Sequence, residues 1–245
     1  MTDDSYRPVR RITEDRSDPL DRSRWPATIP AVAQLLDEGL ELTGLTVLVG
    51  ENGSGKSTVV EGIAMAYGMS PEGGSTLAAH TTRRSESVLA DHLLLARGIR
   101  APRWGYFLRA ETMHGFYTYL EQNPPSSRRV DPVFHDMSHG ESLLTLLAER
   151  FDSPGLYVMD EPEAGLSFSS TLALAGLLAD MAASKRSQAI VATHSPLLAA
   201  VPGAVVYEVD EQGLRRCDWP DLALVRHWRA FLHRPQEYLR HLGGQ

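Results

Sequence analysis

One glycine-rich segment has the residue types and spacing of a loop that holds phosphate. It reads Gly50-Glu51-Asn52-Gly53-Ser54-Gly55-Lys56-Ser57-Thr58. Glycines let such a loop wrap tightly, so that successive backbone N–H groups point at phosphate oxygens, and the positive end of a following helix strengthens the attraction. The lysine of this pattern reaches the β and γ phosphates, and the hydroxyl of Ser57 ligates Mg²⁺. The segment therefore predicts a nucleotide triphosphate site with Mg²⁺.

Two adjacent carboxylates, Asp160 and Glu161, follow the apolar run Leu156–Met159. Ligands of a parallel sheet sit beyond the carboxyl ends of its strands, so Asp160 is expected beside the metal with Ser57. Glu161 is then placed to orient and deprotonate an attacking water. The alternative for both carboxylates is an acidic turn that caps the next helix.

His194 follows the apolar run Ala189–Ala192, from which only Thr193 separates it. At such a strand end it can hydrogen-bond the γ-phosphate or the attacking water, although a structural role is the alternative. Ser138, Gly140 and Glu141 open a predicted helix whose N-terminus offers a hydroxyl, N–H groups and a dipole to an anion. Their alternative is a simple capping box.

Short apolar runs alternate with helical stretches along the chain. Strands are predicted at 45–49, 104–108, 156–159 and 189–192, helices at 57–67, 87–97, 140–150 and 172–181, and a hairpin at 205–214. This alternation predicts an α/β fold with a largely parallel sheet. The first 24 residues are compatible either with an added edge strand or with a partly mobile segment.

The composition favours a single globular domain and argues against several other classes of protein. A chain of 245 residues with 42% hydrophobic content can bury a full core as one domain, residues 1–245. No run approaches the roughly 20 apolar residues that cross a bilayer, and the charged N-terminus is unlike a signal peptide, so we expect a soluble, cytoplasmic protein without membrane insertion. The single Cys217 excludes an internal disulfide framework. A formal net charge of -7 opposes nucleic-acid binding by the whole surface.

Taken in order, these motifs resemble the ABC ATPase superfamily. GENGSGKST is similar to its Walker A loop, SHGES to a variant of its signature, YVMDEPEAGLS to its Walker B motif and D-loop, and THS to its switch histidine. The pieces FLRAE, SHGES, DEPEAGLS, ATHSP and EYLRHL more closely resemble small, stand-alone bacterial ATPases described as predicted AAA or ABC-type ATPases.

The resemblance implies a P-loop NTPase fold of ABC type, with a mostly parallel sheet flanked by helices and a small helical subdomain. That subdomain, at about residues 85–150, carries the signature. ATP and Mg²⁺ are the implied cofactors. In the superfamily two domains pack head to tail when ATP binds, so Ser138, Gly140 and Glu141 would touch the ATP held by the partner's loop.

The chain also departs from the superfamily pattern. His139 stands in place of a signature glycine, Glu141 in place of a glutamine, and Ser167 in place of the D-loop aspartate. The Q-loop glutamine is missing, and Glu111 is the candidate substitute. Trp25 is a candidate for stacking on adenine.

The expected function is ATP hydrolysis by a soluble ABC-type ATPase, in which ATP-driven homodimerisation acts as a switch on an unknown client. One alternative is the nucleotide-binding subunit of an ABC transporter, which the DEPEAGLS form and the missing Q-loop glutamine oppose. A second is a nucleotide sensor without useful turnover, which Glu161 opposes. A third is an ATPase partner in DNA repair or phage defence, by family analogy alone.

Overall fold

A computed structural model describes residues 4–76, 88–109 and 153–240. Its strands are β1 (Arg11–Glu14), β2 (Leu40–Glu41), β3 (Leu45–Gly50), β4 (Gly74–Ser75), β5 (Leu93–Ala96), β6 (Gly105–Arg109), β7 (Leu156–Asp160), β8 (Gln188–Thr193), β9 (Ala204–Asp210) and β10 (Gly213–Arg216). Its α-helices are α1 (Pro30–Glu38), α2 (Lys56–Tyr67), α3 (Phe168–Ala183), α4 (Pro196–Ala199), α5 (Ala223–His233) and α6 (Pro235–Leu239). Within these ranges, no helix combines the length and the apolar character that crossing a membrane requires.

A parallel sheet forms the centre of the fold, as the alternation of apolar runs and helices predicts. In the described residues its strands lie in the order β10-β9-β3-β8-β7-β6-β4. The five inner strands are parallel, and β10 and β4 pair antiparallel at the two edges. Strand β3 is therefore flanked by β8 and β9, and β8 by β7, so the carboxyl ends of β3, β7 and β8 meet at one edge.

Both faces of the sheet are covered, which explains why its strands are continuous apolar runs rather than alternating ones. Leu48, Val158 and Ile190 point into a core shared with α1 and α2. Val47, Tyr157 and Val191 point the other way, into a core shared with α3. Helix α3 begins earlier than predicted, at Phe168, because the Ser167 side chain accepts a hydrogen bond from the Ser170 backbone N–H.

A second, antiparallel sheet contains the N-terminal residues and corrects one predicted helix. Strand β1 pairs with both β2 and β5, so the N-terminal residues form its middle strand, neither an edge strand nor a segment without pairing. The helix predicted at 87–97 is instead a 3₁₀ turn, Val88–His92, followed by β5. Pairing with β1, about 80 residues earlier in the sequence, overrides the local helical pattern. The predicted helix at 140–150 lies outside the described residues.

Gln188 joins the N-terminal segment to the main sheet. Its buried side chain accepts a hydrogen bond from Val9 N at 2.9 Å and donates to Val9 O at 2.7 Å and Thr43 O at 2.8 Å. The side-chain amide of Gln188, at the start of β8, thus satisfies three backbone groups of Val9 and Thr43. Buried backbone groups that lose such partners pay their full desolvation cost.

We therefore expect Gln188→Ala to lower the free energy of unfolding by about 3 kcal/mol, because the buried backbone groups of Val9 and the half-buried carbonyl of Thr43 lose their partner. Urea denaturation followed by circular dichroism measures this change. Gln236→Ala, at an exposed position of α6, is the matched control and should change stability by less than about 0.5 kcal/mol. Equal stabilities of the two variants would contradict the assignment of Gln188 as a joint between the two sheets.

Candidate active site

The phosphate loop leaves β3 at Gly50 and enters α2 at Lys56. Gly55 has φ +97°, and a Cβ on it would lie 2.4 Å from Ile29 Cγ2. A Cβ on Gly50 would lie 2.2 Å from the Val209 carbonyl oxygen. Both positions thus require glycine, because other segments of the same polypeptide lie too close to leave room for a Cβ. The first hydrogen bond at the start of α2 runs from Val59 N to Gly55 O, so the preceding N–H groups face outward from the helix N-terminus.

The side chain of Lys56 hydrogen-bonds back to the loop that precedes it. Its Nζ donates to the Glu51 carbonyl oxygen at 2.8 Å, and the residue is only 3% exposed. Burial lowers the pKa of Lys56 from its ordinary value, while the negative charges of Glu161, Asp160 and Glu163 act in the opposite direction. The loop thus holds a cation at its centre.

The buried hydroxyl of Ser54 has no hydrogen-bond partner within the part of the chain that the structure describes. A buried donor of this kind fits a phosphate oxygen. Together with the outward N–H groups at the start of α2, it gives the loop the features that hold a triphosphate.

Ser57 and Asp160 meet at the edge of the sheet. Ser57 Oγ donates to Asp160 Oδ1 at 3.0 Å, and Asp160 is 7% exposed. Burial raises the pKa of the Asp160 carboxyl, while the hydrogen bond from Ser57 and the positive charge of Arg109 lower it. Hydroxyl and carboxylate oxygens are the donors that Mg²⁺ takes beside a bound phosphate, so the pair fits this ion.

Arg109 is a site residue to which the sequence assigned no role. It ends β6 and stands in register with Asp160 of β7. Its Nη1 lies 2.7 Å from Glu61 Oε2 on α2, and its Nε lies 3.9 Å from Asp160 Oδ2. The guanidinium therefore supplies positive charge to two carboxylates on neighbouring elements. Its place directly after an apolar strand, within the piece FLRAE, was the sequence signal for it.

Glu161 follows Asp160 in a left-handed backbone conformation, with φ +50°. Such a conformation costs a residue other than glycine about 1 kcal/mol or more. The Glu161 N–H donates to Ala192 O at 2.9 Å, which fixes the turn against β8. Glu161 Oε1 then lies 3.0 Å from His194 Nε2, so the two predicted catalytic side chains are in hydrogen-bond contact.

Glu163 orients the end of β8, and the sequence had predicted no role for it. Its Oε1 accepts hydrogen bonds from Thr193 Oγ1 at 2.5 Å and from His194 N at 2.7 Å. The Thr193 hydroxyl in turn accepts from Ser195 N at 2.9 Å. A carboxylate two residues after Glu161 thus fixes the backbone from which His194 projects. Its place in the sequence EPE was the available signal.

The structure brings together Lys56, Ser57, Asp160, Glu161 and His194, and places Thr58 in the first turn of α2. Glu51, Asn52 and Gly53 form the exposed crest of the loop. The Trp25 side chain is 59% exposed. Glu111, Ser138, Gly140 and Glu141 lie outside the described residues, as does most of the expected subdomain at 85–150.

Two family models match the chain across these elements. Residues 34–92, which include the phosphate loop, match a family described as "AAA domain". Residues 127–200, which include Asp160, Glu161 and His194, match a family described as "AAA domain, putative AbiEii toxin, Type IV TA system". The chain is thus similar to AAA-domain families both at the phosphate loop and at the two carboxylates.

Several solved structures match the chain at low sequence identity. A protein described as a "putative metal-chelate type ABC transporter", in an inward-facing conformation, is 15% identical over 92% of this chain and 89% of that chain, with a TM-score of 0.49. The Smc head bound to the C-winged helix domain of ScpA is 16% identical over 73% and 92%, with a TM-score of 0.47. The cbiO1 protein of Clostridium perfringens is 15% identical over 81% and 88%, with a TM-score of 0.44. No curated protein matches this chain.

Replacing Arg109 by Met removes the cation that Glu61 and Asp160 share but keeps an aliphatic side chain. We expect a loss of about 2 kcal/mol in unfolding free energy, because two largely buried carboxylates lose their counter-charge. The pKa of Asp160 should also rise further, so that more of this carboxyl is protonated as the pH falls. Calorimetric titration with ATP and Mg²⁺ should therefore show a larger loss of affinity at pH 6 than at pH 8.

Arg97→Met is the matched control, because Arg97 stacks on the Tyr67 ring at 4.2 Å and is not among the charged groups that shift the pKa of Asp160. This variant should keep the wild-type dependence of Mg²⁺-ATP binding on pH. The same pH dependence in both variants would show that Arg109 has no influence on Asp160.

Proposed function

We propose that the protein hydrolyses ATP and that ATP binding joins two copies head to tail, as a switch on a client. The observation that supports hydrolysis is the convergence of Lys56, Ser57, Asp160, Glu161 and His194 at one edge of the sheet. These side chains supply a cation for phosphate, oxygen ligands for a metal, and a carboxylate with a histidine partner. Phosphoryl transfer to water needs these groups and little covalent chemistry from the protein.

The loop N–H groups and Lys56 would hold the β and γ phosphates in place. Ser57 and Asp160 would hold Mg²⁺, which when bound neutralises charge on the phosphates. Glu161 would take the proton of the attacking water on its carboxylate. His194 Nε2, 3.0 Å from Glu161 Oε1, would orient that carboxylate, and Glu163 holds the His194 backbone in place.

Glu161→Gln should keep ATP bound but lower turnover by at least about 100-fold, because the amide preserves the shape of the side chain and cannot accept the proton. A steady-state phosphate-release assay and a calorimetric ATP titration measure the two quantities. Glu211→Gln, on an exposed turn, is the matched control and should behave as wild type. A Glu161→Gln protein with wild-type turnover would overturn the assignment of the base.

The second part of the proposal concerns the signature residues Ser138, Gly140 and Glu141. We propose that they contact the ATP held by the partner's loop. The resemblance of SHGES to the superfamily signature supports this, as does a family match that spans residues 127–200. An isolated role for Ser138 as an N-cap is the competing explanation, and its loss would cost about 1 kcal/mol of stability without affecting catalysis.

Two inactive variants can test the shared site by complementation. Lys56→Ala should abolish nucleotide binding, because the loop loses its central cation. Ser138→Arg should fold and bind ATP through its own Lys56, yet neither dimerise nor hydrolyse. A mixture of the two contains heterodimers with one complete site and one site lacking both elements, so partial ATPase activity should return on mixing.

If turnover requires both sites, the mixture should still form an ATP-dependent heterodimer, which size exclusion with light scattering detects. Full activity of Ser138→Arg as a monomer would contradict the shared site. It would leave a P-loop ATPase that works as a single chain.

A further inference from the structure

Helix α5 contacts the core mainly through its first turn. Leu222, which precedes the helix, is buried, and Val225 is the one residue of α5 that the described structure buries. Trp228 follows Val225 by three residues and Leu232 follows Trp228 by four, so the three side chains share one face of the helix. Trp228 is nevertheless 45% exposed and Leu232 is 73% exposed. The apolar face that anchors α5 therefore continues as an exposed surface along the rest of the helix.

Helix α6 extends this exposed surface. The ring centroid of Phe231 lies 6.4 Å from that of Trp228 and 5.8 Å from that of Tyr238, and both contacts are edge to face. Tyr238 is 39% exposed, and α6 buries none of its residues. Trp228, Phe231 and Tyr238 also border a groove beside the phosphate loop, whereas Leu232 does not. These four side chains form one apolar surface that reaches beyond the groove, here called the aromatic surface.

Positive charge lies on a separate face of α5. Arg226, Arg229 and His233 are all exposed and follow one another at spacings of three and four residues. The guanidinium of Arg229 lies 5.0 Å from the centre of the Trp219 ring, which limits where this cation can point. Residues 223–240 contain four arginines and one glutamate, a formal net charge of +3, in a chain whose net charge is -7. Cations are therefore concentrated in the segment that carries the aromatic surface.

The separation of apolar and cationic faces indicates which partner fits. A helix that lies in the surface of a bilayer buries its apolar face at the acyl boundary, while its arginines reach the anionic headgroups. Trp and Tyr are the side chains enriched at that depth. A single strand of nucleic acid needs aromatic rings and arginines along one path, and an aliphatic side chain such as Leu232 does not stack on bases. Charge complementarity and the exposed leucine together favour an anionic lipid surface.

We propose that α5 and α6 bind the surface of a bilayer that contains anionic phospholipid. Trp228, Leu232 and Tyr238 enter the acyl boundary, and Arg226 and Arg229 contact headgroup phosphates. Within the described ranges no helix has the length and apolar character to cross a bilayer, so the contact is with one leaflet. Repulsion between the acidic remainder of the chain and the lipid orients these helices toward the bilayer. The interaction requires neither ATP nor a second copy, and it goes beyond the proposed hydrolysis.

Co-sedimentation of the full chain with vesicles tests the apolar part of the contact. The protein should bind vesicles of phosphatidylcholine and phosphatidylglycerol in equal amounts at least about tenfold more tightly than vesicles of phosphatidylcholine alone. Leu232→Ser should weaken binding to the anionic vesicles at least about tenfold, and the high exposure of Leu232 means that folding is not disturbed. Ile99→Ser is the matched control, because Ile99 is 96% exposed and lies outside the aromatic surface, and it should bind as wild type.

The cationic part of the contact is tested by removing one charge at a time. Arg226→Gln should weaken binding to the anionic vesicles about fivefold and leave binding to phosphatidylcholine unchanged, because the arginine contributes only through the headgroup charge. Lys185→Gln removes the same charge from an exposed position just beyond α3 and is the matched control. It should bind both kinds of vesicle as wild type. Equal weakening by the two variants would show that net charge alone governs binding and would overturn the role of α5.

The remaining outcomes assign the aromatic surface to a different partner. Absence of binding to the anionic vesicles, or equal binding by wild type and Leu232→Ser, would overturn the proposal. Binding of single-stranded DNA that Trp228→Ser abolishes, without vesicle binding, would assign the surface to nucleic acid. Loss of an ATP-dependent dimer in Leu232→Ser, without vesicle binding, would assign it to a second copy. Since the vesicle assay contains no nucleotide, its failure would leave the proposed ATP hydrolysis untouched.

Discussion

The hydrogen bond from Ser57 Oγ to Asp160 Oδ1 joins residues 103 positions apart and determines how the candidate site is assembled. It can form because β3 and β7 both flank β8 and run in the same direction. Their carboxyl ends then lie side by side, with a helix N-terminus above one and two carboxylates above the other. A change in strand order or direction would separate the loop from Asp160, however well each motif was preserved.

Charge balance is the second constraint on the site. Glu51, Asp160, Glu161 and Glu163 all act on Lys56, and burial alone would favour the neutral amine of this lysine. Arg109 adds positive charge from the opposite side of Asp160. The carboxylates that support the lysine would repel the phosphates of ATP, so a divalent cation between them would favour the nucleotide binding that we propose.

The motifs could be located from the sequence because each is local: a glycine loop, two carboxylates after an apolar run, and a histidine after another. The central strands were also predictable, since burial on both faces makes them continuous apolar runs. Arg109, Glu61 and Glu163 were missed because their roles depend on which strands and helices become neighbours. The same reason explains the wrong helix at 87–97, where pairing of β5 with β1 decides the conformation.

The left-handed backbone of Glu161 is unfavourable for a residue with a side chain, yet that side chain is the one that contacts His194. Glycine would adopt φ +50° without steric cost, yet it has no side chain to reach His194. Selection for stability alone would favour glycine there, so a glutamate at this position agrees with the catalytic role that we propose for its carboxylate. Relatives of this chain that have lost the need for turnover should be the ones free to relax that turn.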